Sequence, residues 1–405
     1  MKKVVHVVGA RPNFMKAAPV LRALDRLPIG QSLVHTGQHY DAQMSEVFFR
    51  QLGLPEPDYN LAVGSDSHAR QTGLAMQKLE PVLAEARPDL VLVYGDVNST
   101  LAASLVCAKL VIPLGHVEAG LRSFDRSMPE EVNRVVTDRL SDLLFTPSAD
   151  ADENLRAEGV KDSCIHRVGN VMIDSLVRLL PGTEERSIWH DYALVTLHRP
   201  SNVDDPEVLG RLAGALTEMS RVIPVVFPVH PRTRARLEAV SGVCRAENLC
   251  LLPPAGYVEF LELQAHARFV VTDSGGIQEE STYLGIPCLT LRENTERPIT
   301  VEVGSNVLVG QDMGRLLHEV ARILSGSARR GSVPPLWDGH AAERIALVVG
   351  QRLGLASELE LRTAKSGLPG KANYRSRTVR PPGPWPAQRA RGARGPVKRV
   401  RSEVS

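Results

Sequence analysis

The chain has 405 residues, 43% of them hydrophobic, and no apolar run approaches the roughly 18 residues of a membrane helix, so it reads as a globular protein with core material for about two domains. Five scattered cysteines (Cys107, Cys164, Cys244, Cys250, Cys288) include no Cys-x-x-Cys pair, which argues against a disulfide framework or zinc knuckle and for a reducing cytoplasm. The net charge of +2 conceals an asymmetry: residues 366–405 hold ten Lys or Arg and one acid, Glu403, a charge of +9, while the remaining 365 residues hold 38 basic and 45 acidic residues, −7.

The apolar start of the chain reads as a first β-strand rather than a signal peptide, because it is short, contains His6 and runs into Arg11 without a cleavage pattern. Strand-like runs at residues 4–8, 32–35, 90–93, 112–117, 143–146 and 165–168 alternate with longer amphipathic segments. A second series follows Leu180-Pro181-Gly182, at 193–197, 224–229, 249–252, 269–272, 287–291 and 306–309. Near-continuous Val/Leu/Ile strands separated by helices imply parallel sheets covered on both faces. The expected class is therefore α/β, with two doubly wound, Rossmann-like domains at about 1–175 and 176–340 and a ligand cleft at the carboxyl ends of their strands. Residues 341–355 read as a last helix that packs back on the first domain. The Pro-, Gly- and Arg-rich residues 366–405 are expected to be disordered; a merely solvated extension and an electrostatic contact with nucleic acid or an anionic surface are both open.

Chemistry-bearing residues fall at the strand ends. Arg11 and Lys16 surround the start of the first helix after Gly9, without the spacing of a dinucleotide fingerprint. Asp96 ends the third strand and could be a carboxylate of the cleft or only the cap of the helix beginning near Ser99. Glu118 follows the fourth strand among small residues, where an acid has little structural purpose. Glu130 and Glu131 follow Pro129 at a helix start, where acids are expected on stability grounds, so a chemical role for one of the two fits better than for both. His198 and His230 end the first two strands of the second series. No ligand spacing favours a metal. The most telling stretch is Thr272-Asp273-Ser274-Gly275-Gly276-Ile277-Gln278-Glu279-Glu280, an apolar strand emptying into Ser-Gly-Gly and a helix, which points backbone N–H groups at an anion. With Glu280 on that helix and Arg297 downstream, a nucleoside diphosphate site is implied.

Gly9-Ala10-Arg11-Pro12, Tyr94-Gly95-Asp96, His116-Val117-Glu118-Ala119-Gly120-Leu121-Arg122, Pro129-Glu130-Glu131-Val132-Asn133-Arg134, Val168-Gly169-Asn170, His198-Arg199, Pro228-Val229-His230, Asp273 to Glu280 and Thr295-Glu296-Arg297-Pro298 together resemble the non-hydrolysing UDP-N-acetylglucosamine 2-epimerases, in order from about residue 4 to residue 310. The resemblance implies a GT-B-like architecture and interconversion of UDP-N-acetylglucosamine and UDP-N-acetylmannosamine. The implied route is anti elimination of UDP to a 2-acetamidoglucal, then re-addition. It implies Asp96, Glu118, Glu130 and His198 as catalytic, and Arg11, Lys16, His230, Tyr257, Phe260, Ser274, Gly275, Gly276, Glu280 and Arg297 as substrate-binding. It also implies no cofactor, a homodimer and a cytoplasmic enzyme of cell-surface polysaccharide biosynthesis. Some family members bind a second substrate molecule as an activator, for which Gln38, His39 and Arg70 are the candidates. Here Pro231-Arg232-Thr233 replaces the Asn-Pro that follows the second histidine in many bacterial members, which leaves activation and the sugar open. The arginine-rich tail is outside the family pattern. A hydrolysing relative, a glycosyltransferase of the same fold and a nucleotide-sugar sensor are the rival readings; the clustered carboxylates argue against the last two.

Overall fold

The computed structural model describes residues 1–38, 49, 51–180, 191–239 and 246–355. The first half runs β1 (Lys2–Val8), α1 (Arg11–Leu24), β2 (Ile29–His35), β3 (Tyr59–Asn60), α2 (His68–Ala86), β4 (Leu90–Tyr94), α3 (Asn98–Leu110), β5 (Leu114–Val117), α4 (Pro129–Leu140), β6 (Leu143–Thr146), α5 (Ala149–Ala157), β7 (Ile165–Arg167) and α6 (Val171–Leu179). The second runs β8 (Ala193–Thr196), α7 (Pro200–Val203), α8 (Pro206–Met219), β9 (Val225–Pro228), α9 (Pro231–Ala239), β10 (Leu249–Leu252), α10 (Tyr257–His266), β11 (Phe269–Thr272), α11 (Gly275–Leu284), β12 (Cys288–Thr290), α12 (Ile299–Glu302), β13 (Asn306–Leu308) and α13 (Met313–Leu324). The last helix is α14 (Ala341–Arg352). Among the described residues the strands form two sheets, in the orders β3-β2-β1-β4-β5-β6-β7 and β10-β9-β8-β11-β12-β13, with every pairing parallel.

The period of two within each strand explains why both faces are covered. In the first sheet Val4, Val8, Leu90, Leu92 and Tyr94 face one apolar cluster, with α1 and α14. Val5, Val7, Val91 and Val93 face another, with α2 and α3. The second sheet repeats the pattern, with Val195, Phe227 and Val271 on one side and Leu194, Val226 and Val270 on the other. Cys107 and Cys288 are small core residues of these layers. In each sheet the central strands β1 and β4, or β8 and β11, are where the order reverses, and their carboxyl ends open the crevice.

The helix α14 returns to the first half and packs on α1 and α6. Ala341, Ile345, Ala346 and Val349 complete the apolar cluster that α1 supplies with Ala17, Val20 and Leu24. Its approach is strapped down: the Trp337 indole N–H donates to the Pro147 carbonyl at 2.9 Å, and Arg344 Nη1 donates to the Val168 carbonyl at 2.9 Å. Its first turn is capped from another helix, since the Asp174 carboxylate on α6 accepts from the Ala341 and Ala342 backbone N–H groups at 3.1 and 2.7 Å.

Burial pushes the Asp174 carboxyl up to about 7, and the two N–H groups offset this only in part. The folded chain then holds a proton more tightly than the unfolded one. Asp174 therefore contributes most below about pH 4, and its contribution falls as pH rises to about 7. Urea unfolding of wild type and Asp174→Asn between pH 4.5 and 7.5 should show wild type losing stability relative to the variant, at no more than ~1.4 kcal/mol per pH unit. A constant or rising difference would contradict this account of the cap.

Candidate active site

A cleft of about 790 Å³ lies at the carboxyl ends of both sheets. The first half lines it with Arg11, Lys16, Asp96, Met128, Glu130 and Arg134, and the second with His198, Arg199, Tyr257, Ser274, Gly275, Gly276, Glu279, Glu280, Glu296 and Arg297.

The first-half acids have distinct surroundings. Helix α3 starts at Asn98 with Val97 as its cap residue, so Asp96 is not the cap. Its Oδ2 instead receives Arg134 Nε at 3.0 Å and Nη2 at 2.7 Å. Burial alone would raise this carboxyl, but Arg134, Lys16 and Arg297 hold it below the ordinary range. Glu118 sits at φ = 76°, a left-handed conformation costly for a side chain with a Cβ and typical of functional sites. Its buried Oε1 receives Lys16 Nζ at 2.7 Å and Arg297 Nη2 at 3.3 Å, while its Oε2 has no hydrogen-bond partner among the described residues. Of the pair at the α4 start, Glu131 is structural: it accepts from the Ser123 and Phe124 backbone N–H groups, both at 2.9 Å, and from Arg134 Nη1 at 2.6 Å. Glu130 faces the cleft.

The second half supplies an anion seat. Helix α11 begins at Gly275, directly after β11 and Ser274, with its first-turn N–H groups at the cleft wall. A Cβ on Gly275 would lie 2.5 Å from Arg297 Nη1, so the guanidinium can approach the helix start only over a glycine. Arg297 is buried among acids: Nη1 to Glu296 at 2.5 Å, Nε to Glu279 at 2.8 Å and Nη2 to Glu118 across the cleft. Burial would raise Glu296, yet Arg297, Arg292 and Arg134 hold it far below the carboxylate range. Glu279 has burial as its dominant influence and is pushed up despite Arg297. Burial also raises Glu280, to about 8, although the Tyr257 hydroxyl donates to it at 2.9 Å.

His198 is largely exposed toward the cleft, and its Nδ1 lies 3.0 Å from Asp273, which is wholly buried. Asp273 also accepts from the backbone N–H groups of His198 and Arg199 and from Asn202. Held through Nδ1, the ring presents Nε2 to a ligand.

Other anticipated residues fall elsewhere. His230 is exposed and is not among the cleft-lining residues. Phe260 packs against Tyr192, Leu194 and Val270 behind the second sheet and is not among the cleft-lining residues. Gln38 accepts from Ser99 Oγ at 2.7 Å and from its backbone N–H at 3.2 Å, so it ties the end of β2 to the start of α3. Arg70 is exposed on α2, and His39 lies outside the described residues. Conversely Arg134, Arg199, Asp273, Glu279 and Glu296 complete the site. All stand within the quoted motifs, but only their pairing distinguishes them from helix-surface or loop charges. Among the described residues no group of three or more His, Cys, Asp or Glu side chains is disposed to hold a metal.

The arrangement pairs an anion seat with carboxylates on the facing wall, which suits expulsion of a phosphate leaving group coupled to proton transfer at a neighbouring carbon. Comparison with known proteins identifies the family. A sequence model of the family described as UDP-N-acetylglucosamine 2-epimerase matches residues 22–350. The chain is 41% identical over 362 residues to the UDP-N-acetylglucosamine 2-epimerase of Methanocaldococcus jannaschii, covering 86% of this chain and 98% of that protein. It is 42% identical over 351 residues to the UDP-2,3-diacetamido-2,3-dideoxy-D-glucuronate 2-epimerase of Pseudomonas aeruginosa, covering 85% and 98%. The crystal structure of the M. jannaschii enzyme in complex with UDP-GlcNAc and UDP superposes with a TM-score of 0.79, covering 86% of this chain and 99% of that one. This α/β, GT-B-like chain therefore belongs to the UDP-N-acetylglucosamine 2-epimerase family.

Proposed function

We propose that the protein interconverts UDP-N-acetylglucosamine and UDP-N-acetylmannosamine, or a close derivative, by elimination and re-addition of UDP. The observation that carries this reading is the placement of Asp96 and Glu130 on one wall of the cleft, facing the Ser274–Gly276 helix start and Arg297 on the other, with the buried Glu118 paired to Arg297. The C2 proton of an intact pyranose is too weakly acidic for direct removal. Loss of UDP from C1 as C2 gives up its proton avoids a free carbanion, and the resulting 2-acetamidoglucal can be protonated from its other face. In this reading the α11 N–H groups and Arg297 take the departing diphosphate, with Arg11 and Lys16 supplying further positive charge. Glu280 accepts the ribose hydroxyls, and His198 sits beside the reacting centre or the diphosphate. Asp96, Glu118 and Glu130 share the proton transfers on the two faces and stabilise the oxocarbenium-like charge.

We take residues 1–175, completed by α14, and 176–340 as the functional domains, and a cytoplasmic homodimer as the working unit. Among the described residues no helix is long and apolar enough to cross a membrane. The similarity to the P. aeruginosa enzyme makes a 2,3-diacetamido uronate the second sugar to test.

Asp96→Asn and Glu118→Gln are expected to keep UDP affinity and lose turnover by a factor of ~10² or more; wild-type rates in both would remove these carboxylates from the chemistry. Because burial holds Glu280 up to about 8, hydroxyl donors that favour its ionised form should release a proton when UDP binds near pH 7. Calorimetry in buffers of different ionisation enthalpy should detect that proton, and Glu280→Gln should abolish it and weaken UDP binding about tenfold or more. Proton NMR with UDP-N-acetylglucosamine in D₂O tests the reaction itself. Deuterium at C2 together with UDP-N-acetylmannosamine is the expected result, whereas free N-acetylmannosamine and UDP would select a hydrolysing enzyme.

A further inference from the structure

Behind the first-half acids lies a buried ion network that none of these roles uses. Asp138 on α4, 2% exposed, receives His116 Nδ1 on Oδ1 at 2.6 Å; its Oδ2 receives Arg122 Nη1 at 2.7 Å and the Gly120 backbone N–H at 3.0 Å. Arg122 continues to Glu158 with two contacts of 2.7 Å. The other ring nitrogen of His116 meets the Gly95 carbonyl at 2.8 Å.

A carbonyl can only accept, so Nε2 carries a hydrogen. Asp138 accepts from Gly120 and Arg122 on Oδ2, and its Oδ1 holds the ring in place through Nδ1. Asp138, His116 and Arg122 are all buried and hydrogen-bonded, the condition under which a polar network rigidifies rather than destabilises.

What the network holds gives it a purpose. Glu118 lies two residues after His116 and two before Gly120, so Asp138 grips the chain on both sides of it. The turn between contains two left-handed residues, Glu118 at 76° and Gly120 at 81°. It cannot slacken toward α5, because the Ala151 carbonyl oxygen stands only 2.4 Å from where a Cβ of residue 120 would be. Through His116 the same carboxylate fixes Gly95, the residue before Asp96. Glu130, Arg134 and Asp138 recur every four residues, so one stripe of α4 faces the cleft, holds Asp96 and grips Gly120 beside Glu118 in turn. Resting on the epimerase reading above, we propose that Asp138, acting with His116, is a positioning residue that sets the placement of Glu118 and Asp96 for proton transfer on the two faces of the sugar.

The test is Asp138→Asn in the full-length protein, with His116→Gln as a second variant should the first not fold. UDP affinity and KM should stay within about threefold of wild type, since the anion seat is on the other half. Meanwhile kcat should fall ~10- to 100-fold, the range seen when outer partners of reactive groups are removed. A larger share of turnovers should end in free UDP and 2-acetamidoglucal, because a misplaced acid reprotonates the intermediate poorly. ¹⁵N NMR of histidine-labelled protein, with His116 assigned by its loss in His116→Gln, should show the His116 ring-nitrogen shifts moving in Asp138→Asn, the signature of a lost ring partner. A folded variant with wild-type kcat and product partition would overturn the proposal, as would a loss expressed in UDP affinity or KM, or His116 ring shifts unchanged in Asp138→Asn. A wild-type protein inert toward UDP-N-acetylhexosamines would instead strike down the reaction assigned above.

Discussion

The guanidinium of Arg297 is the charge around which the cleft is arranged. It is buried, belongs to the second half, and touches Glu296 and Glu279 of its own half and Glu118 of the other. Removing such a group from water costs several kcal/mol, and only close partners offset that, so three carboxylates are drawn to one point. Glu118 is drawn furthest, since its Oε1 is shared between Arg297 and Lys16. A diphosphate seated at the α11 start would compete with these carboxylates for Arg297.

The neighbouring acids show how environment divides one residue type into several tasks. Asp96 and Glu296, each facing two or more cations, are held ionised. Glu280, buried beside Glu279 with only a phenol donating to it, is held toward its neutral form. Glu131 spends its oxygens on backbone N–H groups and Arg134, fixing the loop that carries Met128 to the cleft, while Glu130 beside it keeps its oxygens for the cavity. Helix geometry enforces that last division, because adjacent residues on α4 point about 100° apart.

The strands were legible because both faces of each sheet are buried, which turns every strand into an apolar run. Those of residues 143–146, 249–252 and 269–272 match to the residue, and the others differ by a few residues at their ends. The edge strand Tyr59–Asn60 was not, since two residues with one polar carry no period. Strand ends likewise located Asp96, Glu118 and the Ser274–Gly276 turn, because a parallel sheet delivers its chemistry there. Side-chain direction was less legible. Tyr257 and Phe260 are one helical turn apart, yet one reaches Glu280 and the other enters the core, a choice made by the packing of α10. Arg134, Asp273 and Asp138 act through partners 18 to 75 residues away, and no local pattern reports such a pairing.

The return of α14 also has a consequence for synthesis on the ribosome. The apolar surface of α1 and α6 that it covers is complete once residue 179 has been made, but the helix that seals it begins only at residue 341. At ~5–20 residues per second the intervening chain takes roughly ten to thirty seconds to emerge. For that interval the nascent first half carries an open groove lined by Ala17, Val20 and Leu24, the kind of surface that chaperones bind and that associates wrongly when crowded. Truncation before residue 341 would make that transient state permanent, so α14 works as the closing step of the first half.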